Sequence, residues 1–344
     1  MKKVLAVGVM LLAIVVTAPL AAQDARPSFA DWLAGVKTEA LTRGITPEIL
    51  DEALGHIDGP LQVALDRDRA QPEHVLSLEH YVARVLSAKN IATGREMYAR
   101  HRAELDEVSE RYGVSARAIM GVWGIESDFG RFTGSWPTIT ALATLGWDPR
   151  RPTFFRGELF KALEILNRGD IDLAHMKGSW AGAMGQTQFM PSSYLLFAED
   201  FDGDGRRDIW DTPVDVFASI ANFLKGHGWR ASQTWGREVK LAPEAARKVR
   251  TDVARRNSGC RATRDMTVAL PMERWQALGV RLPGGKPLPT TDLQASLVSG
   301  KSRAFLVYGN YHALLEYNCS HSYAVSVAML GDTIVSGAAG APRR

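Results

Sequence analysis

Glu126 closes a run of apolar residues. Ser115 can cap a helix carrying Ala116, Ile119, Met120, Val122, Trp123 and Ile125, with Asp128 and Gly130 as stop signals just beyond the glutamate. A carboxyl delivered there meets apolar neighbours and the negative end of the helix dipole. Both disfavour its charged form and raise its pKa, which is what a general acid working near neutral pH requires. A surface glutamate ending an amphipathic helix would look the same over this stretch alone. The additional signal lies at residues 178–191, where Gly178, Gly182 and Gly185 permit close backbone approach while Ser179 and Gln188 supply neutral hydrogen-bonding groups between aromatic side chains. Such groups suit sugar hydroxyls and acetamido groups.

Glycosidic cleavage by two carboxylates needs a second Asp or Glu held about 5 Å away for retention, or further for inversion. Asp128 is the one nearby candidate in sequence, and two positions beyond Glu126 it projects to a different side of the helix; its expected role is a helix-end hydrogen bond. The chemistry predicted is therefore that of a single acid/base.

A second constellation is acidic. Asp200, Asp202 and Asp204 fall at the first, third and fifth positions of an EF-hand-like loop spanning 200–211, with Gly205 sixth, Arg206 seventh and Asp211 twelfth. Apolar residues before it (Leu195, Leu196, Phe197) and after it (Val214, Phe217, Ile220, Leu224) provide the helix-loop-helix setting. An aspartate replaces the usual glutamate at the last position, so either Asp211 or Asp215 is expected to close the site. One structural Ca²⁺ is expected, and no organic cofactor.

The elements that must position these groups divide the chain. Residues 1–22 read as a secretory signal peptide, with Lys2 and Lys3 ahead of an apolar run at 4–16 and small residues Ala18, Ala21 and Ala22 at its close; the run is too short for a membrane anchor. Export makes a Cys260–Cys319 disulfide the expectation for the two cysteines, both set among turn-like residues. A composition of 46% hydrophobic and 23% charged residues excludes disordered and fibrous classes. The net charge of +3 suits an anionic polymer without specifying one, and the absence of a concentrated Lys/Arg stripe disfavours nucleic acid. Apolar spacing predicts a helical segment over 23–77, with Thr46 and Pro47 starting one helix, and a functional core over 78–230. Gly- and Pro-broken segments predict a small β-containing insertion at 231–305. Helices should return over 306–334, ahead of a frayed tail at 335–344.

Several blocks carry a more specific signal. Ile125-Glu126-Ser127-Asp128-Phe129-Gly130, Asp148-Pro149-Arg150-Arg151, the stretch 182–194 beginning Gly-Ala-Met-Gly-Gln-Thr-Gln-Phe-Met-Pro, the Ala221-to-Trp229 stretch (221–229), and Tyr317-Asn318-Cys319-Ser320-His321-Ser322-Tyr323-Ala324 together resemble the B-type lytic murein transglycosylases, glycoside hydrolase family 103. The resemblance implies a predominantly helical α+β fold: a lysozyme-like core with an extra helical domain and a small β-domain. It implies that Glu126 is the acid/base, that Tyr81, Ser179, Gln188, Phe189, Tyr317, Asn318 and Tyr323 contact substrate, and that Arg150 and Arg151 lie along the groove. Phe154 and Phe223 stand where tyrosines are expected. The implied activity is cleavage of the bond between N-acetylmuramic acid and N-acetylglucosamine in peptidoglycan strands, giving 1,6-anhydro ends, in a soluble periplasmic enzyme. A water-using muramidase and a non-catalytic peptidoglycan-binding protein are the competing readings. On protein partners the residues are silent.

Overall fold

The computed structural model describes residues 26–70 and 76–338; the expected signal peptide and the end of the expected tail lie outside them. Helix α1 (Phe29–Thr42) is capped by the Ser28 hydroxyl, and α2 (Pro47–Leu54) by Thr46 with Pro47 at its first position, as the sequence predicts. With α3 (Gln62–Arg69) they lie against α8 (Thr138–Trp147) and α9 (Pro152–Arg168). Phe29, Leu33, Leu50 and Leu54 thereby join the main core rather than closing one of their own.

Between these two groups run α4 (Leu78–Val85), α5 (Ala88–Arg100), α6 (Arg102–Tyr112) and α7 (Ala116–Ser127). In α7 every residue from Ala118 to Trp123 is buried. A helix apolar on all sides is stable only when other helices surround it, and α5, α6, α11 (Pro213–Gly226) and the last helix α16 (His321–Ala338) do so. The α7–α16 crossing depends on two glycines: a Cβ on Gly121 would meet the Val327 carbonyl oxygen at 2.1 Å, and one on Gly331 would collide with the Arg117 carbonyl. The Ser115 hydroxyl makes no capping hydrogen bond, so α7 begins where expected but is held by packing rather than by its cap.

Two short strands, β1 (Trp136–Pro137) and β2 (Lys177–Gly178), pair antiparallel and bring the segment after α7 beside the glycine-rich segment. Helix α10 (Pro191–Phe197) leads into the acidic loop and α11 leaves it.

The β-containing region holds strand β3 (Gly236–Val239), helices α12 (Pro243–Asp252) and α13 (Arg261–Asp265), strand β4 (Leu270–Pro271), helix α14 (Met272–Ala277), and strands β5 (Gln294–Ser299) and β6 (Ala304–Val307). The strands form an antiparallel sheet of order β3-β6-β5-β4. Its two faces bury different residues, because side chains alternate along a strand: Val298, Phe305 and Val307 join the main core, while Ala295, Leu297 and Leu306 pack on a second cluster around Trp275, Met272 and Val249. Strand β6 carries the sheet past the expected boundary at 305. The chain returns through α15 (Gly309–Tyr317) and α16, and helix continues to Ala338 where fraying was expected from 335. A disulfide joins Cys260 to Cys319 with 6.3 Å between Cα atoms, tying the β-region to the α15–α16 connection. No helix among the described residues is long and apolar enough to cross a membrane.

Candidate active site

Glu126 sits in the last turn of α7, and the chain reverses immediately after it. Asp128, Phe129 and Gly130 all adopt positive φ (52°, 59° and 79°). Two consecutive non-glycine residues in this region are strained, a cost tolerated where surrounding structure over-determines the backbone. Here Ser127 does so, its hydroxyl donating to the Trp123 carbonyl at 3.1 Å and accepting from the Gly130 amide at 3.1 Å. The buried Trp123 donates its indole N–H to Gln186 Oε1 at 2.8 Å, and Gln186 Nε2 donates to the Trp210 carbonyl at 2.6 Å. Gln186 thus ties the acid helix to the acidic loop. Sequence reasoning passed it over in favour of Gln188, since both stand in one Gly-Gln-Thr-Gln run.

The Glu126 side chain is half-buried among tyrosines. Tyr323, 3% exposed, donates its hydroxyl to Glu126 Oε1 at 2.5 Å. Tyr317 stacks on Tyr323 with ring centroids 6.4 Å apart and donates to the Thr187 carbonyl at 2.9 Å. Desolvation pushes the Glu126 carboxyl up to about 7, against the Tyr323 hydrogen bond, which favours the carboxylate and pulls downward. The hydroxyls of Tyr81, Tyr317 and Tyr323 are all raised, by burial first and then by the nearby Glu126 charge. No other carboxylate contributes to the Glu126 shift. Asp128 pairs with Arg131 at 2.7 Å, the helix-end role expected of it.

Of the other expected residues, Ser179 accepts the Ala181 and Ala183 amides at 3.2 and 3.1 Å, which leaves its O–H to donate outward. Gln188, at φ 51°, spends both amide hydrogens on the Thr133 and Gly185 carbonyls at 3.0 and 2.8 Å. Its Oε1 is left to accept. Asn318 is exposed, and its side chain has no hydrogen bond among the described residues.

One expectation is corrected. Phe189 is 2% exposed, its ring 5.6 Å from Phe223 and 5.8 Å from Tyr317, so it supports Tyr317 from beneath and offers no open stacking face. Phe223, buried 4.5 Å from Tyr317, belongs to the same stack, whereas Phe154 is half exposed. Arg150 and Arg151 both pair with the buried Asp68, Arg150 at 2.5 Å, and Arg150 also bonds Asp148 at 3.0 Å, while both side chains stay partly exposed. A buried carboxylate requires such partners.

In the acidic loop, oxygens of Asp200, Asp202 and Asp204 come within 4.8 Å of one another. Asp200 accepts the Gly203 and Gly205 amides at 2.8 and 2.9 Å, which wraps the loop around the cluster. Asp215 lies behind it, accepting the Phe201 and Asp208 amides at 2.7 and 2.9 Å, and is raised to about 6 by burial, with Asp200 and Asp202 adding to the rise. Asp211 is exposed and lines a different cavity with Asp170, Asp172 and His175. Of the two candidates for closing the loop, Asp215 is therefore the one beside the three-carboxylate group. Arg206 bends back toward Asp204 and Asp208. Three converging carboxylates, of which Asp204 alone has a cationic side chain near it (Arg206, at 4.0 Å), form a donor set that fits a hard divalent cation.

The transglycosylase SLT domain family model matches residues 28–332. Membrane-bound lytic murein transglycosylase B of Escherichia coli (strain K12) is 41% identical over 150 residues, 43% of this chain; the match spans 41% of that relative's length. SltB3 from Pseudomonas aeruginosa in complex with NAG-anhNAM-pentapeptide is similar with a TM-score of 0.81 and 39% identity, over 90% of this chain and 80% of that one. The Escherichia coli lytic transglycosylase Slt35 in complex with calcium is similar with a TM-score of 0.73 and 28% identity, over 90% and 94%.

Proposed function

This chain belongs to the transglycosylase SLT domain family, and we propose that it is a lytic transglycosylase cleaving the β-1,4 bond from N-acetylmuramic acid to N-acetylglucosamine in peptidoglycan, with Glu126 as sole acid and base. One observation carries this reading: the Glu126 carboxyl, delivered half-buried by the last turn of an apolar helix, is held by the Tyr323 hydroxyl at 2.5 Å, while Asp128, the acid nearest in sequence, is paired with Arg131. Protonated Glu126 donates to the glycosidic oxygen as the C1–O4 bond breaks, and the glucosamine leaves as an alcohol. The substrate's acetamido oxygen covers the cationic C1. The Glu126 carboxylate, steadied by Tyr323, then takes the proton of the muramyl C6 hydroxyl, whose oxygen bonds to C1. The product is the 1,6-anhydro ring, Glu126 ends reprotonated, and no water is consumed; proximity favours the C6 oxygen over solvent.

Ser179 as donor and Gln188 as acceptor suit the acetamido and hydroxyl groups, and Asn318, Tyr81 and Tyr317 are read as further substrate contacts. The SltB3 complex holds a muramyl sugar bearing a pentapeptide, which supports a peptide-substituted substrate here. Asp200, Asp202, Asp204 and Asp215, with the Arg206 carbonyl, would hold a Ca²⁺ whose contribution is to brace the loop. A periplasmic site of action follows from the substrate together with the leader-like residues 1–22.

Mass spectrometry of products from purified sacculi tests the reading. Anhydro-muropeptides are expected; products heavier by one water would establish a hydrolytic muramidase, and no release would leave only a binding role.

A further inference from the structure

A cavity of about 370 Å³ opens at the far end of the acid helix, within the roughly 300–1,000 Å³ usual for a small-ligand site. Trp229 and Trp235 line it together with Ser115, Ser232, Gln233 and Thr234. Ser115 precedes the first residue of α7, and Glu126 follows in its last turn, so at about 1.5 Å per residue the cavity stands roughly 16 Å along the helix from the acid. Its wall is electrically balanced. Arg117 and Asp332 lie on it and pair with each other at 3.3 Å, and Asp332 also accepts the Trp235 indole N–H at 2.9 Å. The side chains of Ser115, Ser232, Gln233 and Thr234, by contrast, make no hydrogen bond among the described residues. The loop that carries three of them is held from behind. Asn310, fully buried, accepts the Arg230 amide at 2.7 Å and donates to the Arg230 and Gln233 carbonyls at 2.9 and 2.7 Å.

Resting on the transglycosylase reading for the polymer this protein meets, we propose that the cavity is a second, non-catalytic binding site for a segment of N-acetylated glycan chain, holding a strand apart from the site where Glu126 acts. The lining selects the ligand class. A charged ligand finds no unpaired partner, because Arg117 and Asp332 are spent on each other. A wholly apolar one would strip water from four hydrogen-bonding side chains and give nothing in its place. A sugar ring meets both demands. Its C–H face packs on an indole, for which the half-buried Trp229 is placed, and its hydroxyl and acetamido edges meet hydroxyls and a carboxamide. Gln233 offers a donor and an acceptor together, the complement of an acetamido group. The Asn310 clamp shapes the loop before any ligand arrives, which lowers the ordering cost of binding.

The test titrates the full protein with tetra-N-acetylchitotetraose, a neutral glycan without muramyl residues and so without the bond Glu126 cleaves, and follows the indole N–H signals by two-dimensional NMR. The Trp229 and Trp235 signals, assigned through Trp229→Phe and Trp235→Phe, should shift and saturate. Gln233→Ala should raise the Kd read from them about fivefold, the size of one neutral hydrogen bond. Ala231→Trp, which fills the cavity from its exposed wall, should abolish the shifts. Both variants should release anhydro products from short soluble strands at the wild-type rate, while Ala231→Trp should digest insoluble sacculi severalfold more slowly. Matching melting curves exclude misfolding as the cause. Unmoved Trp229 and Trp235 signals, an unchanged Kd in Gln233→Ala, or undiminished sacculus digestion by Ala231→Trp each overturns the second site and leaves the transglycosylase reading intact. Failure of the wild type to form anhydro products overturns that reading instead, whatever the titration gives.

Discussion

Replacing Glu126 by glutamine should stabilise the protein in a pH-dependent way. The carboxyl stands near 4.5 when unfolded and at about 7 in the fold. Between those values the native state holds a proton the unfolded state has lost, so stability falls as pH rises through this window. Each pKa unit corresponds to about 1.4 kcal/mol, and the whole displacement withdraws roughly 3.5 kcal/mol of stability once the pH is well above 7. Below pH 4.5 both states carry the proton and nothing is lost. The glutamine amide cannot ionise, and its oxygen can still accept from Tyr323. Parallel urea unfolding of the wild type and Glu126→Gln from pH 4 to 9 cancels the contributions of all other groups. The difference should be near zero at pH 4, grow between 4.5 and 7 in favour of the variant, and level off at roughly 3.5 kcal/mol. Transglycosylase activity of the same variant should fall at least a hundredfold. A stability difference that does not vary with pH would refute the claim that burial keeps this carboxyl protonated, and the assignment of the acid would fall with it.

Tyr323→Phe removes the hydrogen bond that favours the carboxylate, so the alkaline limb of the kcat/KM–pH profile should move upward by roughly one unit, a bond to a charged group being worth about 1.5 kcal/mol or more; a downward move would contradict it. The Cys260→Ser, Cys319→Ser double variant should lose about 2 to 4 kcal/mol, as expected for a bridge closing a loop of sequence separation 59, and reductant should destabilise the wild type while leaving the variant unaffected. Ca²⁺ at about a hundred times its Kd should add close to 2.7 kcal/mol and raise Tm by a few degrees, an effect lost in Asp202→Asn with Asp204→Asn. An unchanged wild-type melting curve in calcium and in chelator would dismiss the cation.

Much of the site is legible because it is local. An apolar helix ending in Glu126, a stop signal at Asp128, a proline-started α2 and a loop of alternating aspartates each depend on residues a few positions apart, where backbone geometry translates spacing directly into placement. The predominantly helical fold, the β-region broken by Gly and Pro, and the pairing of the only two cysteines follow similarly from period, punctuation and count.

What the sequence determined by itself, then, is which chemical groups occupy which short elements. Only the tertiary structure decided which of them face one another. Phe189 reads as a stacking residue until Phe223 and Tyr317 enclose it, and no local spacing shows that Asp68, more than eighty residues earlier, pairs with both Arg150 and Arg151. Asp215 lies beside the three-aspartate cluster because α11 packs it there, although the loop spacing puts Asp211 at the twelfth position. Tyr323 reaches Glu126 across 197 residues. Burial and charge pairing are properties of the whole packed chain, and they set both the pKa of the acid and the availability of the cations.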